Sequence, residues 1–316
     1  MKTVVVIYNL DDWNRKKPFK KSKLDYESCW KQFYELGKKQ NLNFSRAYIN
    51  WYIGKGKFKK AWTYDIKLKR WKKIYNVKAD FVFDKVPSDE EFKKIKYKIH
   101  KEVGMMNHPE MDYITNDKSK IKKLFSKIIP KTFVIKNKKE LKNSLKKIDT
   151  KKAVIKPSVG SGGQGIAIKE KNKLLNYKIK KGETYVLQEF IDTSNGIKNL
   201  VKQTHDLRVI VVNGKIIYSY LRIPKKGKFL CNIHQGGKMI TIKNNQIPKK
   251  IKSMIKSIDK KLKKYKPRNY AADFFIGKNQ KPYLIEINTK PGILFNKEDE
   301  KLKIKYYNKL IKILKK

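Results

Sequence analysis

Residues 160–165 hold four glycines, Gly160, Gly162, Gly163 and Gly165, between two β-branched runs, and few folds tolerate that pattern. Ala153-Val-Ile-Lys-Pro157 leads in, and Ile166-Ala-Ile-Lys-Glu170 leads out. A backbone so free of Cβ atoms can turn its N–H groups toward an anion and approach it closely. Gly160, Gly162 and Gly165 spell the G-x-G-x-x-G dinucleotide fingerprint, but that motif opens a helix, whereas this loop opens an alternating strand. The Gly-Lys-Ser/Thr ending of a P-loop is also missing. A glycine loop between two strands therefore reads as a flap over phosphate, since an ordinary hairpin turn would need fewer glycines.

A flap of this kind resembles the one that covers ATP in protein kinases, and Ile166-Ala-Ile-Lys169 resembles their V-A-I-K strand. That lysine follows the last glycine too closely, no H-R-D occurs in the chain, and Asp273 is followed by Phe-Phe rather than Phe-Gly.

A second constraint lies downstream. Ala271-Ala-Asp273-Phe-Phe-Ile276 and Pro282-Tyr-Leu-Ile-Glu286-Ile-Asn288 flank the turn Gly277–Lys281. A symmetric hairpin centred between Asn279 and Gln280 puts Asp273 opposite Glu286, with Asn288 on the same face and Phe274, Ile285 and Ile287 turned to a core. Opposed carboxylates repel unless a cation lies between them. Oxygen ligands from Asp, Glu and Asn on rigid strands suit Mg²⁺ bridging phosphates. The competing picture is a solvated hairpin face neutralised by lysines.

Charge argues about partners. The formal net charge is +51, which alone would suggest nucleic acid. Only six of the 79 basic residues are arginine (Arg15, Arg46, Arg70, Arg208, Arg222 and Arg268), and specific nucleic-acid readers depend on the guanidinium fork. The lysines are spread over the whole chain, as on a solvated surface. We expect no specific nucleic-acid partner, and nonspecific polyanion binding is the alternative. Arg208 and Arg222 stand out as arginines kept in a lysine-rich chain. Trp62, Trp71 and nearby lysines could stack single strands, but a half-buried hairpin face explains them better.

No apolar run approaches the roughly 20 residues of a membrane-spanning helix, so no membrane partner is expected. Val4–Leu10 is cut short by Asp11-Asp12 with no small-residue cleavage site, and reads as a buried strand rather than a secretory signal. Cys29 and Cys231 lie far apart in no metal or redox motif, and His100, His108, His205 and His234 lack metal-ligand spacing. A reduced, cytoplasmic chain is expected, with oligomerisation left open.

The length of 316 residues suggests two or three domains. Asp25–Gln40 predicts an amphipathic helix, 44–53 and 58–75 predict strands with Trp62, Tyr64, Ile66 and Leu68 in one register, and 79–86 predicts another strand. Ser88-Asp-Glu-Glu91 predicts a capping box opening a helix to about Glu102. Helices are expected at 117–127, 138–148, 247–265 and 299–316. Strands are expected at 131–135, 153–157, 165–169, 184–191, 207–213, 215–222, 236–242, 270–276 and 282–288. These alternations give an α/β first domain of roughly 110 residues and a second unit that begins near Asn107.

Asn116-Asp-Lys118, Val154-Ile-Lys156-Pro, Gly160–Gly165, Val186-Leu-Gln-Glu189-Phe-Ile191, Asp206-Leu-Arg208-Val, Leu221-Arg222, Asn232-Ile-His-Gln-Gly-Gly237, Asp273 and Glu286-Ile-Asn288-Thr-Lys-Pro-Gly292 follow one another in chain order. Together they resemble the ATP-grasp superfamily, in particular the group around glutathione synthetase and the ribosomal-protein glutamate ligases. The resemblance covers about residues 107–292 and implies an ATP-grasp fold: an N-terminal α/β pre-ATP-grasp domain over 1–112, an N-lobe with the glycine loop over 113–187, and a C-lobe over 188–316 with the carboxylate hairpin and a closing helix. It implies Lys118 and Lys156 on the phosphates of ATP, with Gly160, Ser161, Gly162, Gly163 and Gly165 as the flap. It implies Gln188, Glu189, Phe190 and Ile191 along adenine, and Asp206 and Asn232 as further nucleotide contacts. Asp273, Glu286 and Asn288 would hold one or two Mg²⁺ ions, with Mn²⁺ able to substitute. Arg208 and Arg222, with Asn288, would serve catalysis. The implied activity joins a small-molecule or peptide carboxylate to an amine through an acyl phosphate. A phosphotransferase acting on a hydroxyl would carry almost the same site.

Overall fold

The computed structural model describes residues 1–20, 25–160, 163–225, 237–295 and 297–315. The chain divides into two compact units, Met1–Asp112 with Lys263–Asn269 and Thr289–Lys316, and Tyr113–Leu262 with Tyr270–Asn288.

The first unit is built from β1 (Lys2–Tyr8), α1 (Tyr26–Lys39), β2 (Leu42–Tyr48), β3 (Tyr52–Gly54), β4 (Lys57–Asp65), β5 (Arg70–Lys78), β6 (Phe81–Asp84), α2 (Lys93–Val103) and β7 (Met105–Met106). Its sheet has the order β3-β4-β2-β1-β6-β7, with β5 on β4. β2, β1, β6 and β7 run parallel. Val4, Val5, Val6 and Ile7 have no exposed surface, as an unbroken apolar run in a central parallel strand requires. Asp25 caps α1 by accepting from the Ser28 N–H, and Trp30, Phe33, Tyr34 and Gly37 form its buried stripe.

The single strand expected over 58–75 is two strands joined by a turn. Lys69 adopts a positive φ of 48°, so Ile66 and Leu68 sit at the turn, 36% and 55% exposed, while Trp62 and Tyr64 are buried. The capping box at Ser88 does not form either. A 3-10 turn at Glu90–Phe92 leads into α2, without a side-chain cap at Asp89. The C-terminal helix Glu300–Leu314 belongs to this unit rather than to a lobe over 188–316, because its apolar stripe is completed there, with Tyr307 packed edge-on to Phe33 of α1 at 5.3 Å.

The chain passes into the second unit within α3 (Pro109–Asn116). There follow α4 (Lys118–Phe125), β8 (Thr132–Ile135), α5 (Lys138–Lys146), β9 (Lys152–Pro157), β10 (Ala167–Glu170), α6 (Lys171–Leu174) and β11 (Tyr185–Glu189). The antiparallel order β10-β9-β11-β8 buries Ile135, Leu141, Leu145, Ala153, Ile155 and Leu187 in one core. Each large side chain among them contributes roughly 1.5–3 kcal/mol. Then come β12 (Asp206–Val212), β13 (Lys215–Ile223), β14 (Lys238–Ile242), α7 (Lys249–Leu262), β15 (Asn269–Ile276) and β16 (Pro282–Asn288), with sheet order β14-β13-β12-β15-β16. Ile251, Ile255, Ile258 and Leu262 give α7 its buried stripe.

Asp273 does pair with Glu286, by a route the symmetric hairpin did not anticipate. Ile276 pairs with Pro282, which centres the turn on Asn279, and a bulge between Asp273 and Phe274 restores the register. Ile285 is the extra residue. Leu284, fully buried, takes the place in the core that was expected of Ile285, beside Phe274 and Ile287.

Candidate active site

One cleft in the second unit gathers most of the candidate residues. Lys118, Lys156, Gly160, Gly163, Gln188, Glu189, Phe190, Ile191, Asp206, Arg208, Arg222, Asp273, Glu286 and Asn288 all line it. Gly165 does not; its carbonyl accepts from Tyr177 Oη instead. Ser161, Gly162, Asn232 and His234 lie outside the described residues.

The flap is shaped by its glycines where shape is needed. Gly163 and Gly165 take φ of 82° and 68°, and a Cβ on Gly165 would come within 3.0 Å of Pro157. Asp117 caps α4 through the Ser119 N–H and so fixes the start of the helix that carries Lys118. The Lys118 N–H donates to the Ser158 carbonyl at 2.8 Å, and its Nζ donates to the Gly160 carbonyl at 2.9 Å, so the lysine is tied to the flap at both ends. Lys156 alternates with the core residues Ala153 and Ile155 and turns the other way, into the cleft. Only 6% of it is exposed. Burial, helped by the charge of Lys118 and opposed by that of Glu286, brings its ammonium down to about 8. Burial also lowers Lys118.

At the other wall stands an ionic network on adjacent strands. Arg208 chelates Asp273 with two bonds of 2.6 Å, from Nε to Oδ1 and from Nη2 to Oδ2. Arg222 faces Asp206 in the β12–β13 register, bonds it through Nε at 2.9 Å and through Nη2, and reaches Asp273 Oδ2 at 2.7 Å with that same Nη2. Burial alone would raise both carboxyls. Two guanidiniums reverse this at Asp273 and hold it at about 2, whereas Asp206, beside the Asp273 charge, is pushed up to about 6. What neutralises the Asp273 member of the opposed pair here is therefore arginine.

A metal remains chemically compatible with the site. Glu286 and Asn288 face the cleft, and Asp273 Oδ1, which accepts one N–H, keeps a second lone pair. That is a hard oxygen set suited to Mg²⁺ once phosphate oxygens complete it. Among the described residues no group of three or more His, Cys, Asp or Glu is arranged to hold a metal by itself.

The sequence reading missed the apolar slot formed by Pro130, Val154, Ile166, Ile168, Phe275 and Ile285. Val154 and Phe275 were within reach, being two residues from Lys156 and Asp273 on their strands. Ile285 was not, because only the bulge turns it inward. Trp62 and Trp71 are 2% and 8% exposed, so neither ring is presented for stacking. No helix among the described residues is long and apolar enough to cross a membrane.

Comparison with known proteins agrees with this geometry. The family model described as prokaryotic glutathione synthetase, ATP-grasp domain, matches residues 119–290. A probable alpha-L-glutamate ligase of Syntrophotalea carbinolica is 29% identical over 144 residues, 44% of this chain and 43% of that protein. The aligned part is thus less than half the length of the curated relative. Among solved structures, D-alanyl-alanine synthetase A from Vibrio cholerae superposes with a TM-score of 0.65 at 13% identity, covering 99% of this chain and 98% of that one. A Chryseobacterium gregarium RiPP-associated ATP-grasp ligase, solved in complex with ADP and a leader and core peptide, gives 0.62 at 16% identity, covering 99% and 96%. At such identities these likenesses establish the ATP-grasp fold.

Proposed function

Because the chain belongs to the prokaryotic glutathione synthetase ATP-grasp domain family, we propose that it is an ATP-dependent ligase joining a carboxylate to an amine through an acyl phosphate. The observation that carries this is the charge pattern of the cleft. Lys118 and Lys156 are desolvated side by side, and among the described residues neither has a carboxylate at ion-pair distance. Two such cations call for a polyanion, and a nucleoside triphosphate fits between them and the strand Gln188–Ile191. The adenine lies in the apolar slot, its polar edge along that strand. Asp206 acts through Arg222, which it anchors.

Glu286, Asn288 and Asp273 Oδ1 would hold one Mg²⁺, and a second ion or Mn²⁺ belongs to the same proposal. When bound, the metal supplies neutralisation of phosphate charge. A carboxylate oxygen of the substrate attacks the γ-phosphorus, and the bond to ADP breaks. Arg208 and Arg222 stand where charge develops on the transferring group. The amine lone pair then attacks the acyl carbon, phosphate leaves with the bonding electrons, and the amine proton passes to solvent.

The names of the relatives make glutamate the first substrate to try, and the peptide complex makes peptide carboxylates the second. The test is hydroxylamine trapping with Mg-ATP and a panel of acids, with product analysis by mass spectrometry. A ligase gives a hydroxamate that depends on the acid and declines when the natural amine competes. Turnover without hydroxamate at any amine concentration would replace the ligase by a phosphotransferase to a hydroxyl.

A further inference from the structure

Between Gln188–Ile191 and β12 the chain makes a loop, residues 192–204, that the nucleotide reading does not explain. It leaves the cleft at Asp192 and Thr193 and returns at Thr204, and all three line the cleft. Bonds within the loop give it a shape. The Gly196 N–H donates to the Thr193 carbonyl at 3.0 Å, and Ile197 and Val201 exchange backbone bonds of 2.8 and 3.1 Å. The His205 N–H donates to Thr193 Oγ1 at 3.3 Å, which draws the two ends together.

The turn of the β15–β16 hairpin holds that shape in place. Gln280 accepts the Lys198 N–H at its Oε1, at 3.1 Å, and donates from its Nε2 to the Gly196 carbonyl, at 3.2 Å. One side-chain amide thus satisfies a donor and an acceptor of the loop at once. Two residues earlier, Lys278 pairs with Asp192 at 2.9 Å. Gln280 itself lines a separate hollow, with Ile197, Leu200 and Pro248, so its effect on the nucleotide cleft has to pass through the loop.

The backbone marks Gln280 as kept for its side chain. Its φ is 58°, in the left-handed region that is costly for a residue with a Cβ and easiest for Gly or Asn. Among the described residues seven non-glycine positions have a positive φ, and four of them are asparagine, Asn41, Asn76, Asn199 and Asn213. The turn alone would be served better by either residue. Glutamine is one methylene longer than asparagine, and that reach is what the loop uses. Strain retained at such a position points to work done by the side chain.

We propose that Gln280 is a positioning residue for ATP, clamping the 192–204 loop so that Asp192, Thr193 and Thr204 hold the mouth of the nucleotide cleft in its binding shape. The proposal rests on the reading above for the name of the ligand, but ATP binding tests it without turnover.

The experiment compares the full-length wild type with Gln280→Gly and Gln280→Asn. Both substitutions suit the backbone, so both variants should melt within about 3 °C of the wild type. Neither side chain spans the gap to Gly196 and Lys198, so hydrogen exchange of the 196–201 amides should be faster in both. Calorimetry should show ATP bound about threefold to tenfold more weakly, a modest loss because water competes for exposed bonds. In turnover the KM for ATP should rise in step, with kcat kept to within about twofold. Wild-type exchange in the variants overturns the proposal, since Gln280 would then hold nothing. Faster exchange with unchanged ATP affinity overturns it too, because the loop would not shape the cleft, and so does a fall in kcat at unchanged KM. Absence of ATP binding by the wild type overturns it together with the nucleotide reading. Weakened ATP binding in both variants alongside a failed hydroxamate assay upholds the clamp and removes only the ligase.

Discussion

Asp273 and Glu286 share one proposed duty but carry different structural burdens. Asp273 is 3% exposed and satisfies Arg208 and Arg222 at once. Asp273→Asn should therefore abolish turnover and also destabilise, by about 3–5 kcal/mol, because two buried guanidiniums lose their charge partner. Glu286 has no ion pair among the described residues, so Glu286→Gln should abolish turnover with stability held to within about 0.5 kcal/mol. Paired denaturant melts and ADP-release assays separate the two. Equal destabilisation by both would mean that the network is wrongly drawn. Lys156 adds a pH signature. Since burial brings its ammonium down to about 8, the free protein loses this charge as pH rises through that value, and ATP affinity should drop with it. Lys156→Arg should bind ATP with no such drop; ATP affinity measured at about pH 7 and about pH 9 decides the matter.

At the scale of elements, close packing decides more than propensity. A Cβ at Gly37 would lie 2.2 Å from the Phe44 ring, which is itself held by Phe33 and Tyr34 at centroid distances of 4.9 and 5.2 Å. Alanine at this position gains about 1 kcal/mol of helix propensity. The displaced ring costs about 1–3 kcal/mol. Gly37→Ala should thus be neutral to destabilising, and a clear rise in melting temperature would show that Phe44 yields freely. The β15–β16 bulge is a similar case. It lets a five-residue turn coexist with the Asp273–Glu286 pair and adds an apolar wall to the cleft. Ile285→Ala should weaken ATP binding roughly five- to thirtyfold with little change in melting.

For the whole molecule the +51 charge makes a separate prediction. If the lysines are chiefly solvated surface, duplex DNA should bind weakly, without sequence preference, and release by about 200 mM salt. Tight binding to one sequence that survives such salt would contradict this.

The sequence by itself determined the glycine loop and the order of the motifs, and so the family; it named the Asp273–Glu286 pair but not the bulge that makes it. Glycine conformational freedom, the two-residue period of strands and the spacing of charged residues are local properties that can be read along a chain. The turn at 66–69 was lost because Ile66 and Leu68 continue the apolar alternation, and only the backbone at Lys69 breaks it. Non-local facts waited for the tertiary structure. No spacing rule says that Arg208 and Arg222, on strands adjacent in space, take the charge of Asp273. Nor does one say that a C-terminal helix completes the N-terminal unit, or that Gln280 in a hairpin turn bonds the loop at Gly196 and Lys198. Burial sets the cost of each charge and the neighbours that offset it, and burial exists only once the chain has folded.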